Sequence, residues 1–328
     1  YDILVLEYGV DHPGDMDFLL GICKPDYSIF TKLDKIHSVH FDTPNGIGDE
    51  KIKLLQNAKL KSYLNPLDNF CKKIFNDIRG NKEYFTEIEN YKLEKNNNIT
   101  QSTFEYKKKK FHTNLMGKEN IDYIGLAFQI LKELGGEAIE NDFIELDIQS
   151  GRFSIFEGIK GNILIDSTYN AGPESMKKMI ENTFYIRNKL FTDYKIILVL
   201  GEMRELGYDI VGPEHIKLFD YSKNADAILM IGDKMNYLYE ELKKNNYKGF
   251  FKFYLKSRDA GKELKKYLEQ TEEKYIVLFK GSQNTIFTEE ALKEVLINKN
   301  DVKKMVRQTD DWMIKKEKFF TSINGKLY

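Results

Sequence analysis

Short apolar runs alternate with stretches of helical period along the chain, and their order predicts an α/β protein. Residues 195–200, 227–231, 251–254 and 275–279 are near-continuous apolar runs, with helical patterns between them. Runs of this length suit strands buried on both faces, so this half of the chain is expected to form a mostly parallel, doubly wound, Rossmann-like sheet. Just before it, 151–156 and 162–165 read as a hairpin around Gly158 to Gly161. In the first half, 3–6, 27–31 and 62–64 read as strands. Met16, Leu19, Leu20 and Cys23 line one helix, and Ile52, Leu55 and Leu54 a second over 48–58. From 81 to 115 the pattern alternates around Phe104, Tyr106 and Phe111, which predicts a hairpin region with one solvated face. A third helix follows residues 117–120, with Ile124, Ala127, Phe128 and Leu131 on its inner face and Gly135 and Gly136 as its stop. Beyond 298, Met305, Val306, Trp312, Met313, Phe319 and Phe320 predict one or two packed helical turns docked on the second domain.

Length turns this pattern into domains. A chain of 328 residues exceeds one typical domain, so two are expected, 1–149 and 150–297, followed by a tail, 298–328. A net charge of −1 with 31% charged residues argues against a general nucleic-acid binder, which would carry a basic excess. No apolar run approaches the ~20 residues that span a bilayer, and no charged segment leads into an apolar signal core. The cytoplasm is the expected compartment. Cys23 and Cys71 show no metal-ligand spacing and read as reduced core residues. A chain that opens inside a buried strand also suggests that upstream sequence is removed or supplied elsewhere.

Chemistry concentrates in 161–179, where a strand ends at Asp166, a polar turn follows, and Pro173 opens a helix. Helical N–H groups without internal partners make that turn a candidate phosphate or ribose site. Elsewhere, Gly9 and Gly14 have the spacing of a phosphate loop, but Asp15 and Met16 stand where Lys and Ser or Thr are required. No GxGxxG follows any strand, so a dinucleotide redox role has no support. Glu7, at the carboxyl end of the first apolar run, reads either as a metal ligand or as a helix-capping group. His37 and His40 lie just past the next strand.

Several ordered segments resemble Mur ligases. DSTYNAGPESM resembles the DDSYNANPxSM segment of that family, in particular of its MurF type, which joins D-alanyl-D-alanine to UDP-N-acetylmuramoyl-tripeptide. LEYGVDHPGDM is similar to LEMGxNHPGEI, which implies that Glu7 coordinates magnesium. PDYSIFTKLDKIHSVHF is similar to PDxAVITNIGxAHLExF and puts His37 on the magnesium-binding histidine, with Asp34 and Lys35 in place of Gly-Pro. The helix over 48–58 corresponds to one whose lysine is carbamylated and helps to hold a second magnesium. Lys51 aligns best, with Lys53 as the alternative. Asn120 matches an adenine-contacting asparagine, with Glu119 and Tyr123 replacing a histidine and a second asparagine.

In the second domain, Arg152 resembles an interdomain arginine that meets nucleotide phosphates, a role that a salt bridge would also explain. Asp166 and Asn170 inherit cofactor contacts from the DSTYNAGPESM turn. LGEMRELG resembles LGDMxELG, with His215 on the histidine that follows, and KGSQ resembles KGSR. Glu202, Lys280 and Ser282 are thereby implied at the substrate, Lys280 being equally suited to capping or a salt bridge.

The resemblance implies a partial central Mur-ligase domain with a mixed sheet, then a Rossmann-like C-terminal domain. It also implies an ATP- and Mg2+-dependent amide ligase of peptidoglycan precursors, with UDP-MurNAc-peptide and D-Ala-D-Ala as substrates and Glu7, His37 and Lys51 at the metal. Lacking a phosphate loop, the chain would be an inactive fragment whose loop lies on a missing or separate N-terminal segment. Two other readings remain: a non-catalytic nucleotide- or peptide-binding module, and a related ligase with another acceptor.

Overall fold

A computed structural model describes residues 2–33, 41, 46–96, 99–138, 143–204, 206–283 and 285–322. The chain divides into two compact units: residues 1–92, 102–144 and 205–207 form the first, and 93–101, 145–204 and 208–328 the second.

The first unit holds α1 (Asp15–Ile22), β1 (Tyr27–Phe30), α2 (Gly46–Gln56), β2 (Lys61–Leu64), α3 (Asn69–Ile74) and β3 (Lys82–Tyr84). The three strands form a parallel sheet in the order β1-β2-β3. Phe30, Leu64 and Leu55 pack with Cys71, Ile74 and Ile78 beneath it. Cys71 is a free thiol pushed up to about 12 by burial, whereas Cys23, also free, is only half-buried at the end of α1. Residues 3–6 do not form the expected strand. A single extended segment needs a ladder partner, and the sheet pairs β1, β2 and β3 without it, so Ile3, Leu4, Val5 and Leu6 are exposed.

Next come β4 (Glu89–Asn96), β5 (Ile99–Tyr106), β6 (Lys109–Thr113), α4 (Lys118–Glu133) and β7 (Phe143–Ile144), with the strands ordered β4-β5-β6-β7. The β5–β6 pair is antiparallel, and Phe104, Tyr106 and Phe111 are buried against Ile121, Ile124 and Phe128 of α4. The inner face of α4 differs from the expected one: Ala127 and Leu131 are exposed. Gly125 sets that face, because a Cβ there would lie 3.0 Å from the Thr86 carbonyl oxygen, so the helix approaches the backbone that links β3 and β4 along 125 and 129. Buried Gln129 then accepts from the Thr86 N–H at 2.9 Å. At its end, Gly135 adopts φ +82 and Gly136 N–H reaches the Leu131 carbonyl at 2.9 Å, which satisfies the last carbonyls.

The second unit contains β8 (Ser154–Glu157), β9 (Ile163–Ser167), α5 (Pro173–Leu190), β10 (Lys195–Gly201), α6 (Tyr208–Ser222), β11 (Ala227–Ile231), α7 (Asn236–Lys244), β12 (Phe250–Tyr254), α8 (Ser257–Glu269), β13 (Tyr275–Lys280), α9 (Glu289–Lys293) and α10 (Asp310–Thr321). Its six strands run in the order β12-β11-β10-β13-β9-β8, all parallel except β8, which forms the expected hairpin with β9. Ile197, Val199, Val277 and Phe279 pack with Ala260, Leu264, Ala291 and Leu292 of α8 and α9. The intervening Ile196, Leu198, Ile276 and Leu278 are equally buried, on the side where α5 meets β10 and β13. Burial on both faces is why these strands read as continuous apolar runs.

The tail is more ordered than one or two turns. α10 spans 12 residues and closes on Phe287, with Trp312, Phe319 and Phe320 at centroid distances of 6.3, 5.5 and 6.1 Å. The Lys316 ammonium lies beneath it, 2.9 Å from both Glu289 and Glu290. Among the described residues no helix is long and apolar enough to cross a membrane.

Candidate functional site

The carboxyl ends of β9, β10 and β13 bring together residues far apart in the chain. Open α/β sheets bind ligands at such strand ends, because the turns there lead into helix starts. Lys280 ends β13 and lies opposite Ser167 of β9 in the parallel register. Its ammonium donates to Ser167 Oγ at 3.3 Å and to the Asn170 carbonyl at 2.9 Å. Ser282 is also buried; its hydroxyl donates to the Ala171 carbonyl at 2.9 Å and accepts from the Arg204 N–H at the same distance. Asn170 Oδ1 accepts from the Ala171 N–H at 2.8 Å and the Gln283 N–H at 3.4 Å. The segment after β13 thus closes on the turn between β9 and α5. Gly281 permits this, since a Cβ there would sit 2.2 Å from Thr288 Oγ1 and 3.0 Å from Gly201 Cα.

Asp166 occupies the root of the turn and is fully buried. Its Oδ1 accepts from the Thr168 N–H at 3.0 Å and the Thr168 hydroxyl at 2.7 Å, while Oδ2 has no hydrogen-bond partner. Burial pushes the carboxyl up to about 6, against the two Thr168 hydrogen bonds; Glu289 raises it further and Arg307 opposes. A buried carboxyl with one free oxygen is able to gain or release a proton near neutral pH.

Glu202, after β10, is buried and anchored at both oxygens: Arg204 Nε donates to Oε1 at 2.8 Å and the Lys234 N–H to Oε2 at 2.9 Å. The Lys234 contact runs past Gly232, where a Cβ would come within 2.7 Å of Oε2. Arg204 extends to Thr285 Oγ1 at 2.6 Å. His215 supports the same turn. The Met203 N–H lies 3.0 Å from its Nε2, which must accept, so the proton resides on Nδ1 and is donated to the Val211 carbonyl at 2.6 Å. Burial holds the imidazole below its ordinary value, consistent with a neutral ring.

Arg152 is exposed and stacks on Tyr169, its guanidinium carbon 4.1 Å from the ring centroid. In the first unit, Asn120 Nδ2 donates to the Met116 carbonyl at 2.7 Å. Glu7 is exposed on irregular backbone, Lys51 is half-buried on α2, and His37 and His40 fall outside the described residues. Among the described residues no three His, Cys, Asp or Glu side chains gather to hold a metal. Lys53, the alternative to Lys51, is held by Asp17 at 2.5 Å and Glu50 at 2.8 Å.

Three features escaped sequence reasoning. Glu50 caps α1 across the unit, its Oε1 accepting from the Gly14 and Met16 N–H groups at 3.0 Å each. Asp15, at the phosphate-loop lysine position, instead accepts from the Asp11 and His12 N–H groups, which hold its carboxyl below the usual range. Arg307 of the tail braces the β9–α5 turn, donating to the Thr168 carbonyl at 2.6 Å and the Tyr169 carbonyl at 3.1 Å while bridging to Glu289. A partner 138 residues away leaves no local signal.

Comparison with known proteins gives this geometry a context. Residues 1–130 match the model of the Mur ligase middle domain, and 151–283 that of the Mur ligase, glutamate ligase domain. The UDP-N-acetylmuramoyl-tripeptide--D-alanyl-D-alanine ligase of Borreliella burgdorferi is 27% identical over 246 residues, 70% of this chain and 51% of that protein. The enzyme of the same name from Bacillus subtilis is 26% identical over 218 residues, 63% and 46% of the two chains. The chain therefore spans about half the length of these relatives. Among solved structures, MurF ligase from Thermotoga maritima in complex with ADP has a TM-score of 0.72 at 22% identity, over 89% of this chain and 66% of that one. MurF from Acinetobacter baumannii has a TM-score of 0.70 at 19% identity, over 87% and 63%. These structural likenesses establish a shared fold.

Proposed function

Because the chain belongs to the Mur ligase family, with its middle and glutamate-ligase domains in order, we propose that it forms part of an ATP-dependent ligase of peptidoglycan precursors. The activity is that of the whole protein: joining D-alanyl-D-alanine to a UDP-N-acetylmuramoyl-tripeptide. Relatives bearing that name support the choice of substrates. The observation that carries the reading is the meeting of two motifs 110 residues apart, where Lys280 and Ser282 close on the Asn170–Ala171 backbone.

In such a reaction, phosphate from ATP activates a carboxylate as an acyl phosphate, and an amine then displaces phosphate to form the amide. Lys280 holds the turn and places a positive charge at the strand ends, where a developing anion would be stabilised. Ser282 and Glu202 keep the backbone of 202–204 fixed against that turn. Asp166, with its raised affinity for a proton and its unpartnered oxygen, is suited to accept one near neutral pH. Asn170, Asn120 and Arg152 are the proposed nucleotide contacts. Glu7, His37 and Lys51 are proposed for magnesium on the resemblance alone, since the described residues do not assemble a metal group.

The test is phosphate release from ATP with magnesium, UDP-N-acetylmuramoyl-tripeptide and D-alanyl-D-alanine, comparing this chain with one extended upstream. Release by the extended protein that requires both co-substrates supports the ligase. Release by neither, alongside nucleotide or peptide binding, supports a non-catalytic module instead.

A further inference from the structure

Four consecutive carbonyls of the β9–α5 turn accept from side chains of distant segments. Arg307 Nη2 and Nη1 reach those of Thr168 and Tyr169 at 2.6 and 3.1 Å, Lys280 Nζ reaches that of Asn170 at 2.9 Å, and the Ser282 hydroxyl reaches that of Ala171 at 2.9 Å. Lys280 and Ser282 come from the end of β13 and the segment after it. Arg307 comes from the tail, beyond the residues 151–283 that match the family model.

Arg307 is itself firmly held. Its side chain is 6% exposed, and Nε and Nη2 grip the two oxygens of fully buried Glu289 at 2.8 and 2.6 Å. Lys316 of α10 lies 2.9 Å from the same carboxylate. The Arg307 backbone takes φ +56, a left-handed conformation that a residue with a side chain keeps only where its surroundings enforce it. Beside it, a Cβ on Gly151 would come within 2.7 Å of Val306 and 2.9 Å of the Tyr169 nitrogen, whose N–H donates to the Gly151 carbonyl at 3.1 Å. A guanidinium suits this place, since one planar fork serves a carboxylate and two carbonyls at once, which a lysine ammonium does not. The next residue of the turn is Asn170, whose Oδ1 accepts from the Ala171 and Gln283 N–H groups. Among the described residues its Nδ2 has no acceptor, which leaves that amide for a ligand.

We propose that Arg307 is a positioning residue: anchored on Glu289, it fixes the Thr168 and Tyr169 carbonyls and so sets how Asn170 meets the nucleotide. The nucleotide rests on the ligase reading; the bracing of the turn does not.

Arg307→Ala and Arg307→Lys test this in the chain and in the protein extended upstream. Lysine keeps a positive charge beside Glu289, so the second variant is the one to use if the first fails to fold. In the extended protein, KM for ATP is expected to rise about tenfold in Arg307→Ala and in the same direction in Arg307→Lys, with KM for the other two substrates within about twofold of the parent. A smaller folded fraction alone would lower kcat and leave each KM in place. In the chain without ligand, hydrogen exchange across 168–172 is expected to quicken about tenfold in Arg307→Ala, again in the same direction in Arg307→Lys, and to stay unchanged in β10 and β13. Arg258→Ala, which removes tail ion pairs to Glu290 and Glu317, is expected to leave exchange of the turn as in the parent. An unaltered KM for ATP, a loss confined to kcat, unaltered exchange of the turn, or equal quickening in Arg258→Ala overturns the proposal. The two readings fail separately. Phosphate release by the extended parent with unaltered KM and exchange in the variants removes the brace and keeps the ligase. Faster exchange in the variants with no phosphate release by the extended parent keeps the brace and removes the ligase.

Discussion

Residues 3–6 and the tail helix α10 reverse the usual sorting of side chains. Leu4 and Val5 are 73% and 87% exposed, whereas the charged Lys316 is 0% exposed. Leucine and valine gain by leaving water and lysine loses, yet partners decide the outcome. Among the described residues the apolar segment pairs with no strand, and burying its backbone alone would leave N–H and C=O groups unsatisfied. Lys316 lies 2.9 Å from two carboxylates, inside a network that also holds Arg307, Lys293 and Arg258. Hydrophobicity sets the gain from burial, and available partners determine whether it is realised.

Removing one member of that network breaks the comparison most severely. Lys316→Ala removes the fully buried ammonium that bridges Glu289 and Glu290, leaving two adjacent buried carboxylates with fewer partners and a void beneath α10, and a loss of about 3–5 kcal/mol is expected. The readout is the urea midpoint of the transition followed by Trp312, which reports on the second unit. Glu290 sharpens the point: burial alone would raise its carboxyl, yet Lys316 and Lys293 hold it below the ordinary value.

Asp166 is the intermediate case, buried with one oxygen satisfied and one not. Its folded value of about 6 lies above the unfolded 3.8, so the unfolded chain gives up this proton first as pH rises. The stabilising effect is therefore complete below about pH 4 and lost as pH climbs through 6. Relative to Asp166→Asn, the parent should lose on the order of 2–3 kcal/mol between pH 4 and 7, and little beyond. Urea unfolding of both proteins across that range measures the difference, and parallel curves would contradict the buried titration.

The smallest effect belongs to the exposed segment. Val5→Ser should change stability by less than about 0.5 kcal/mol, because the side chain is already in water. A larger loss in thermal unfolding would mean that the segment buries its apolar face.

The same distinction explains what the sequence disclosed. The central strands β10, β11 and β13 were legible because burial on both faces writes itself as unbroken apolar runs. The convergence of Asn170, Lys280 and Ser282 was foreshadowed by motifs at strand ends. The run at 3–6 looked identical, since a sequence shows apolarity but no pairing. Contacts such as Glu50 with Gly14, or Arg307 with Thr168, depend on the fold to bring distant residues together. The inner face of α4 was set by one close approach at Gly125, invisible to a periodicity that counted only large apolar residues.

The place of β13 bears on how the molecule is made. It is the last strand of its sheet in sequence, yet it lies between β9 and β10. Until it leaves the ribosome, those two strands have no shared neighbour, and the turn that Lys280 and Ser282 secure stays unbraced. Local pieces such as the β8–β9 hairpin are free to form early, whereas closure of the sheet waits for a partner more than a hundred residues downstream. Assembly of the candidate site is thus coupled to the synthesis of β13.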